Sequence, residues 1–167
     1  MDKNSIIEET RKYVEQELTG EGSGHDWYHI ERVWNLAKRI GLEEGCDMYI
    51  VEMSALLHDI GDPKLYAGDT TVAPRMIGAW LDKMSVDSGA REHIMHIIGH
   101  MSFSKSLEGK ITQKSKEFMV VQDADRLDAL GAVGIARCLV YSGHKGRPIW
   151  NPSDKIREGM RVEEYRG

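Results

Sequence analysis

The stretch Ala55-Leu56-Leu57-His58-Asp59-Ile60-Gly61-Asp62 constrains the fold of this chain more than any other. An unbroken apolar run marks a buried helix, and it closes on a neighbouring imidazole and carboxylate before a glycine stops it. Burying a carboxylate beside a histidine is costly unless an opposite charge compensates, and a bound cation is the compensation that also supplies chemistry. Other donors must then reach this helix end from elsewhere in the chain.

The surrounding sequence is helical throughout. Ile6, Ile7, Thr10, Tyr13, Val14 and Leu18 fall at helical spacing before the glycine-rich break at residues 20–24. A second helix starts near His25-Asp26-Trp27-Tyr28-His29 and runs through Ile30, Val33, Trp34, Ala37 and Ile40, with Gly41 expected as its C-cap. Asp47 suits the N-cap of a third helix that ends at His58 and Asp59. Pro74 suits the first turn of a fourth, whose stripe is Met76, Ile77, Trp80, Leu81 and Met84. Asp87 or Ser88 can cap a fifth, where Ala90, Ile94, Ile97, Ile98 and Met101 form the buried face and His93, His96 and His100 a second stripe beside it. After a polar loop containing Gly109, residues 118–130 carry apolar side chains on nearly every side and predict a central, buried helix that continues to Ser142-Gly143. No strand-like alternation occurs, so the fold class expected is all-α.

At about 100° per residue, Asp125 and Asp128 share an inward face with Phe118 and Val121, whereas Asp123 points nearly opposite. His29, His58-Asp59 and an aspartate of this later helix make two imidazoles and two carboxylates from three helices. That set suits one divalent ion with positions left for water and a substrate oxygen. We expect Mn²⁺ first, with Mg²⁺, Fe²⁺, Co²⁺, Ni²⁺ or Zn²⁺ as alternatives. Lys145 and Arg147 lie in a Gly-Pro turn that suits phosphate as well as solvent.

Composition excludes several classes. At 167 residues, with 41% hydrophobic and 29% charged, the chain suits one domain. A net charge of −5 argues against nucleic acid and anionic membranes as general partners. Two distant cysteines, Cys46 and Cys138, and a polar amino terminus point to the cytoplasm.

The succession His29, His58-Asp59, Asp125, with the contexts at residues 25–33, 55–64, 120–137 and 143–148, resembles the HD-domain superfamily of metal-dependent phosphohydrolases. It is most similar to a small bacterial and archaeal subgroup that includes nucleoside triphosphate pyrophosphohydrolases. The resemblance implies an HD-domain-like helical bundle over residues 1–152 with the metal site between helices. Residues 153–167 then read as a polar carboxy-terminal segment, the start of an extension that relatives carry as further helices. It implies His29, His58, Asp59 and Asp125 as metal ligands. Asp62, four positions after His58, stands where relatives place the group that handles the attacking water's proton, with His25 and Asp26 as further acid/base or orienting candidates. Lys64, Arg126, Lys145 and Arg147 are the candidates for phosphate charge, with Asp128 as a further substrate contact. The implied substrate is a small phosphorylated molecule, a nucleotide, cleaved as a (deoxy)nucleoside triphosphate pyrophosphohydrolase would; a homodimer is compatible. Two alternatives stand beside it. One is a dinuclear-metal phosphodiesterase or iron oxygenase of the same superfamily, completed by His93, His96 or His100. The other is a non-catalytic nucleotide-sensing module.

Overall fold

A computed structural model describes residues 1–20, 22, 25–102, 105 and 114–153. Among them the elements are α1 (Lys3–Leu18), α2 (Trp27–Glu44), α3 (Met48–Leu57), α4 (Val72–Lys83), α5 (Ser88–His100), α6 (Lys116–Asp128) and α7 (Gly131–His144), and no strand is present. The all-α expectation holds. The Gly109 loop and the polar segment from residue 154 onward lie outside the described residues.

Short polar side chains start five of these helices. Asp2, Asp26, Asp47, Asp87 and Ser115 each accept a hydrogen bond from a backbone N–H in the first turn of the helix that follows. Fixed starts matter here because α2 and α3 bear on the site with a particular end: α2 with its first turn, α3 with its last.

The centre is α3, and the sequence pattern had pointed instead to residues 118–130. Tyr49, Ile50, Val51, Met53, Ser54, Ala55, Leu56 and Leu57 are all buried, since α1, α2, α5 and α6 all pack on this helix. The helix of residues 116–128 buries one face only, through Phe118, Val120, Val121, Gln122 and Ala124, while Met119 and Leu127 are exposed. Truncating a fully buried residue such as Leu57 or Phe118 to alanine costs about 2–5 kcal/mol, so the end of α3 sits on a stiff platform. Two polar pairs are matched within this core, Trp80 Nε1 donating to Thr10 Oγ1 (2.9 Å) and Gln122 Nε2 to the Met101 carbonyl (2.7 Å), while the buried Ser54 hydroxyl has no partner among the described residues.

Two expected boundaries move. Gly41 does not cap α2, which runs on to Glu44 and ends at Gly45 in the left-handed region, with Cys46 N–H bonded to the Gly41 carbonyl at 3.0 Å. Gly41 is buried within α2, where a Cβ would meet Met48 Sδ at 3.1 Å; its small size sets how closely α2 approaches α3. Residues 118–143 likewise form two helices. The chain turns at Gly131, φ 65°, and a Cβ at Gly134 would collide with the Ala129 carbonyl, so glycine is required for the tight passage from α6 into α7.

Gly61 is the glycine on which the site depends most. Its φ is 72°, and a Cβ there would lie 2.7 Å from Ala73 Cα, so the turn after Asp59 packs directly on the first turn of α4. Gly61→Ala combines backbone strain with a steric clash and is expected to destabilise the protein by about 2 kcal/mol or more, read as a lowered urea midpoint. An unchanged midpoint would show that this turn is free to shift.

Candidate metal centre

Three helices converge on one point. Asp26 caps α2 by accepting from His29 N–H at 2.9 Å, which puts His29 in the first turn, 1% exposed. His58 is the C-cap of α3, and the turn that follows carries Asp59, 7% exposed, and Asp62. Asp125 comes from α6.

The donor atoms face one another. His29 Nε2 stands 3.3 Å from His58 Nε2, 3.4 Å from Asp59 Oδ2 and 3.5 Å from Asp125 Oδ1. His58 Nε2 is 3.6 Å from Asp59 Oδ1 and 3.7 Å from Asp125 Oδ1. Ligands about 2.1 Å from a shared ion stand roughly 3.0–3.5 Å apart at octahedral to tetrahedral angles, so His29, His58 and Asp125 lie close enough to share a divalent cation, with Asp59 against both imidazoles.

Ring partners fix which nitrogens face inward. His29 Nδ1 donates to Asp128 Oδ2 (2.8 Å), and His58 Nδ1 donates to the Ala55 carbonyl (2.8 Å). In the neutral rings both Nε2 atoms then present lone pairs to the cluster, the form that binds a metal.

Electrostatics agree with a site made for positive charge. Burial opposes an imidazolium at His29, but the carboxylates of Asp125, Asp128 and Asp59 outweigh it and push its pKa up to about 10. His58 is raised as well, against burial, chiefly by Asp59 and then Asp125. Burial works against charge on the aspartates too, yet each is held below the usual carboxylate range. His58 and His25 do this for Asp59, His29 and His58 for Asp125, and His29 with Arg32 for Asp128. The surrounding carboxylates thus favour positive charge at these rings, the charge that a divalent ion would supply.

The other residues singled out in the sequence divide. His25 Nδ1 lies 2.9 Å from Asp59 Oδ2, and Lys64 Nζ is 3.5 Å from His25 Nε2. His25, Asp59 and Asp62 have donor atoms within 4.8 Å of one another, beside the first cluster. Asp62 Oδ1 also accepts from Lys64 N–H at 2.7 Å. Asp26, expected among the acid/base groups, has Oδ1 engaged as the α2 cap. Asp128, expected to touch substrate, takes His29 Nδ1, Arg32 and Arg137 on its oxygens instead. Arg126 shares a shallow groove with Asp123, Ile40, Leu127 and Leu130, on a different face of α6 from Asp125. Lys145 lies over the Tyr141 ring, whose edge meets His25 at 6.4 Å between centroids, whereas Arg147 sits in the turn closed by its N–H to the Ser142 carbonyl.

The α5 histidines are not part of the cluster. His93 Nε2 pairs with Ser115 Oγ (2.8 Å), and His96 stacks on His100. Among the described residues, the groups able to share an ion are His29, His58 and Asp125, and His25, Asp59 and Asp62. Sequence reasoning missed Arg32, Arg137 and Tyr141. Arg32 is one turn beyond His29 and could have been found from that spacing; the other two depended on the unforeseen turn at Gly131.

A helical bundle whose His/Asp cluster lies between helix ends is the architecture of the HD domain, which matches residues 26–130, and the chain belongs to that family. The chain is 43% identical over 146 residues to YpgQ of Bacillus subtilis, an alignment covering 86% of this chain and 69% of that protein. A crystal structure from Lactobacillus plantarum aligns with TM-score 0.87 and 40% identity, over 99% of this chain and 75% of that one. An HD-superfamily hydrolase from Bacillus thuringiensis aligns with TM-score 0.68 and 38% identity, over 98% and 78% of the two chains. The structure of YpgQ in complex with ADP aligns with TM-score 0.68 and 39% identity, over 87% and 72%. No helix among the described residues is long and apolar enough to cross a membrane.

The raised pKa of His29 sets the sign of a stability effect. Because the folded value, about 10, lies above the unfolded value near 6.5, stabilisation is fully present below about pH 6.5 and is lost as pH rises through 10. Chelator-treated protein is expected to melt at progressively lower temperature from pH 6.5 to 10, and protein saturated with Mn²⁺ to show a much shallower fall. Parallel curves would mean that the cluster does not hold protons in place of metal.

Proposed function

We propose that the protein is a divalent-metal-dependent phosphohydrolase acting on a nucleotide, with a (deoxy)nucleoside triphosphate as substrate and pyrophosphate as the released product. The observation that carries the reading is the convergence of two imidazole nitrogens and two carboxylates at separations of 3.3–3.7 Å, with His25, Asp62 and Lys64 on one side. The ADP found in the YpgQ structure supports a nucleotide over other phosphate esters. Mn²⁺ is our first choice of ion, since a mixed N/O set suits it and leaves room for oxygen ligands.

His29, His58, Asp59 and Asp125 would hold the ion. When bound, it supplies Lewis acidity toward a phosphoryl oxygen and lowers the pKa of a coordinated water from 15.7 toward about 7. Asp62 keeps Oδ2 clear of its bond to Lys64 N–H and takes the proton of the attacking water. His25, oriented by Asp59, holds a proton at the same edge of the site, and Asp26 serves indirectly by fixing the turn that carries His29. Lys64 supplies positive charge for a phosphate, and Lys145, across Tyr141, does so farther out. Arg126, Arg147 and Asp128 are not assigned to substrate in this scheme. The two unpaired cysteines, Cys46 and Cys138, support a reducing compartment such as the cytoplasm.

The group His25, Asp59 and Asp62 favours a second reading, in which a second ion shares Asp59. The ammonium of Lys64 3.5 Å from His25 weighs against it, because like charge repels a cation there.

The test is a screen of nucleoside mono-, di- and triphosphates with Mn²⁺, Mg²⁺ and Co²⁺ that resolves phosphate from pyrophosphate. We expect pyrophosphate from triphosphates with about one metal per chain. Asp62→Asn is expected to lower kcat by about 10²–10⁴-fold while Mn²⁺ affinity is kept. Two irons per chain with oxygen consumption, or nucleotide binding without turnover, would overturn the reading.

A further inference from the structure

α7 meets the rest of the protein through polar contacts more than through a core. Of its residues only Gly134 is buried, and Val133, Ile135, Leu139 and Val140 are all exposed. Its inward face carries Arg137 and, one turn on, Tyr141. Arg137 Nη1 donates to Asp128 Oδ2 at 3.0 Å, and Tyr141 meets the edge of His25.

The Asp128 carboxylate is crowded and nearly closed to solvent, its side chain 7% exposed. Oδ2 accepts from His29 Nδ1 (2.8 Å), Arg32 Nη2 (3.0 Å) and Arg137 Nη1 (3.0 Å), while Oδ1 accepts from Arg32 Nε (2.7 Å). Arg32 grips both oxygens from one side and is 40% exposed; Arg137, 21% exposed, donates to Oδ2. Without Arg137 the carboxylate can turn with Arg32, and the bond that orients the His29 ring loosens. Groups that orient a metal-binding imidazole through its second nitrogen typically change metal affinity by about 10–100-fold when lost.

We propose that Arg137 is a positioning residue that couples the docking of α7 to the metal centre. Through Asp128 it holds His29 Nε2 on the ion, and by reciprocity an ion that fixes His29 tightens the hold on α7. The helix that brings Tyr141 and Lys145 to the edge of the site is thereby steadied when metal is bound. The proposal rests on the metal reading of the His29 cluster and is independent of the substrate.

The test uses the full chain as wild type, Arg137→Ala and Arg137→Lys. Mn²⁺ affinity is measured by competition with a chelator, and amide exchange across residues 131–144 is followed with and without Mn²⁺. In the wild type, Mn²⁺ should slow exchange in α7. Arg137→Ala should lower Mn²⁺ affinity about 10-fold and abolish that response, and Arg137→Lys, which keeps one donor, should restore part of both. Should Arg137→Ala not fold, the Lys variant is compared with Arg137→Gln on the same two readouts. Faster α7 exchange in Arg137→Ala with Mn²⁺ affinity unchanged would show a merely structural contact and overturn the coupling. A wild type that binds no Mn²⁺ would overturn the metal reading itself, so the two failures are distinct.

Discussion

Two imidazole nitrogens face each other at 3.3 Å between two carboxylates, in a place where three of the four residues are nearly closed to solvent. Such a cluster is unfavourable as it stands, because lone pairs and negative charges converge away from water. Positive charge must enter, as protons on His29 and His58 or as a divalent ion. The raised histidine and lowered aspartate pKa values are two faces of that one demand.

The fold is arranged to keep the cluster from relaxing. Helix ends deliver the donors, so each side chain starts from a backbone fixed by a cap or a tight turn: Asp26 beneath His29, the Ala55 carbonyl behind His58, Gly61 after Asp59. Behind them α3 is buried along eight of its residues, so His58 and Asp59 cannot retreat without disturbing the core. Asp128 closes the arrangement from the far side, held by arginines from two helices while it orients His29. Arg32 itself stays 40% exposed, so water screens its pull on the enclosed Asp128 carboxylate, and what the pair fixes is chiefly orientation.

The helical periods, the caps at Asp47 and Asp87 and the placing of Asp125, not Asp123, on the inward face were legible in the sequence because each depends on neighbours within a turn or two; the caps at Asp2, Asp26 and Ser115 were not foreseen. The rest depended on distant partners. Asp128 was expected as a substrate contact by resemblance alone; its bond to His29, 99 positions away, shows only in three dimensions. Gly41 and Gly131 were each misread for a related reason. One glycine in a helix pattern can mark an end, a close approach or a left-handed turn, and packing decides among them: Gly41 is the close approach to α3, and Gly131 is the turn. The break at Gly131 ends the expected single helix, and the apolar residues Val133, Ile135, Leu139 and Val140 of α7 are exposed. His93, His96 and His100 formed a suggestive stripe, but α5 turns it toward Ser115 and Phe118 and away from the cluster.

The central claim is that His29, His58, Asp59 and Asp125 hold one divalent ion. The most direct measurement is anomalous diffraction from crystals of the full chain grown with Mn²⁺. The account predicts a single strong peak per chain, about 2.0–2.3 Å from His29 Nε2, His58 Nε2 and one oxygen each of Asp59 and Asp125. A peak beside Asp123 or among the α5 histidines, or none at all at saturating Mn²⁺, would contradict it.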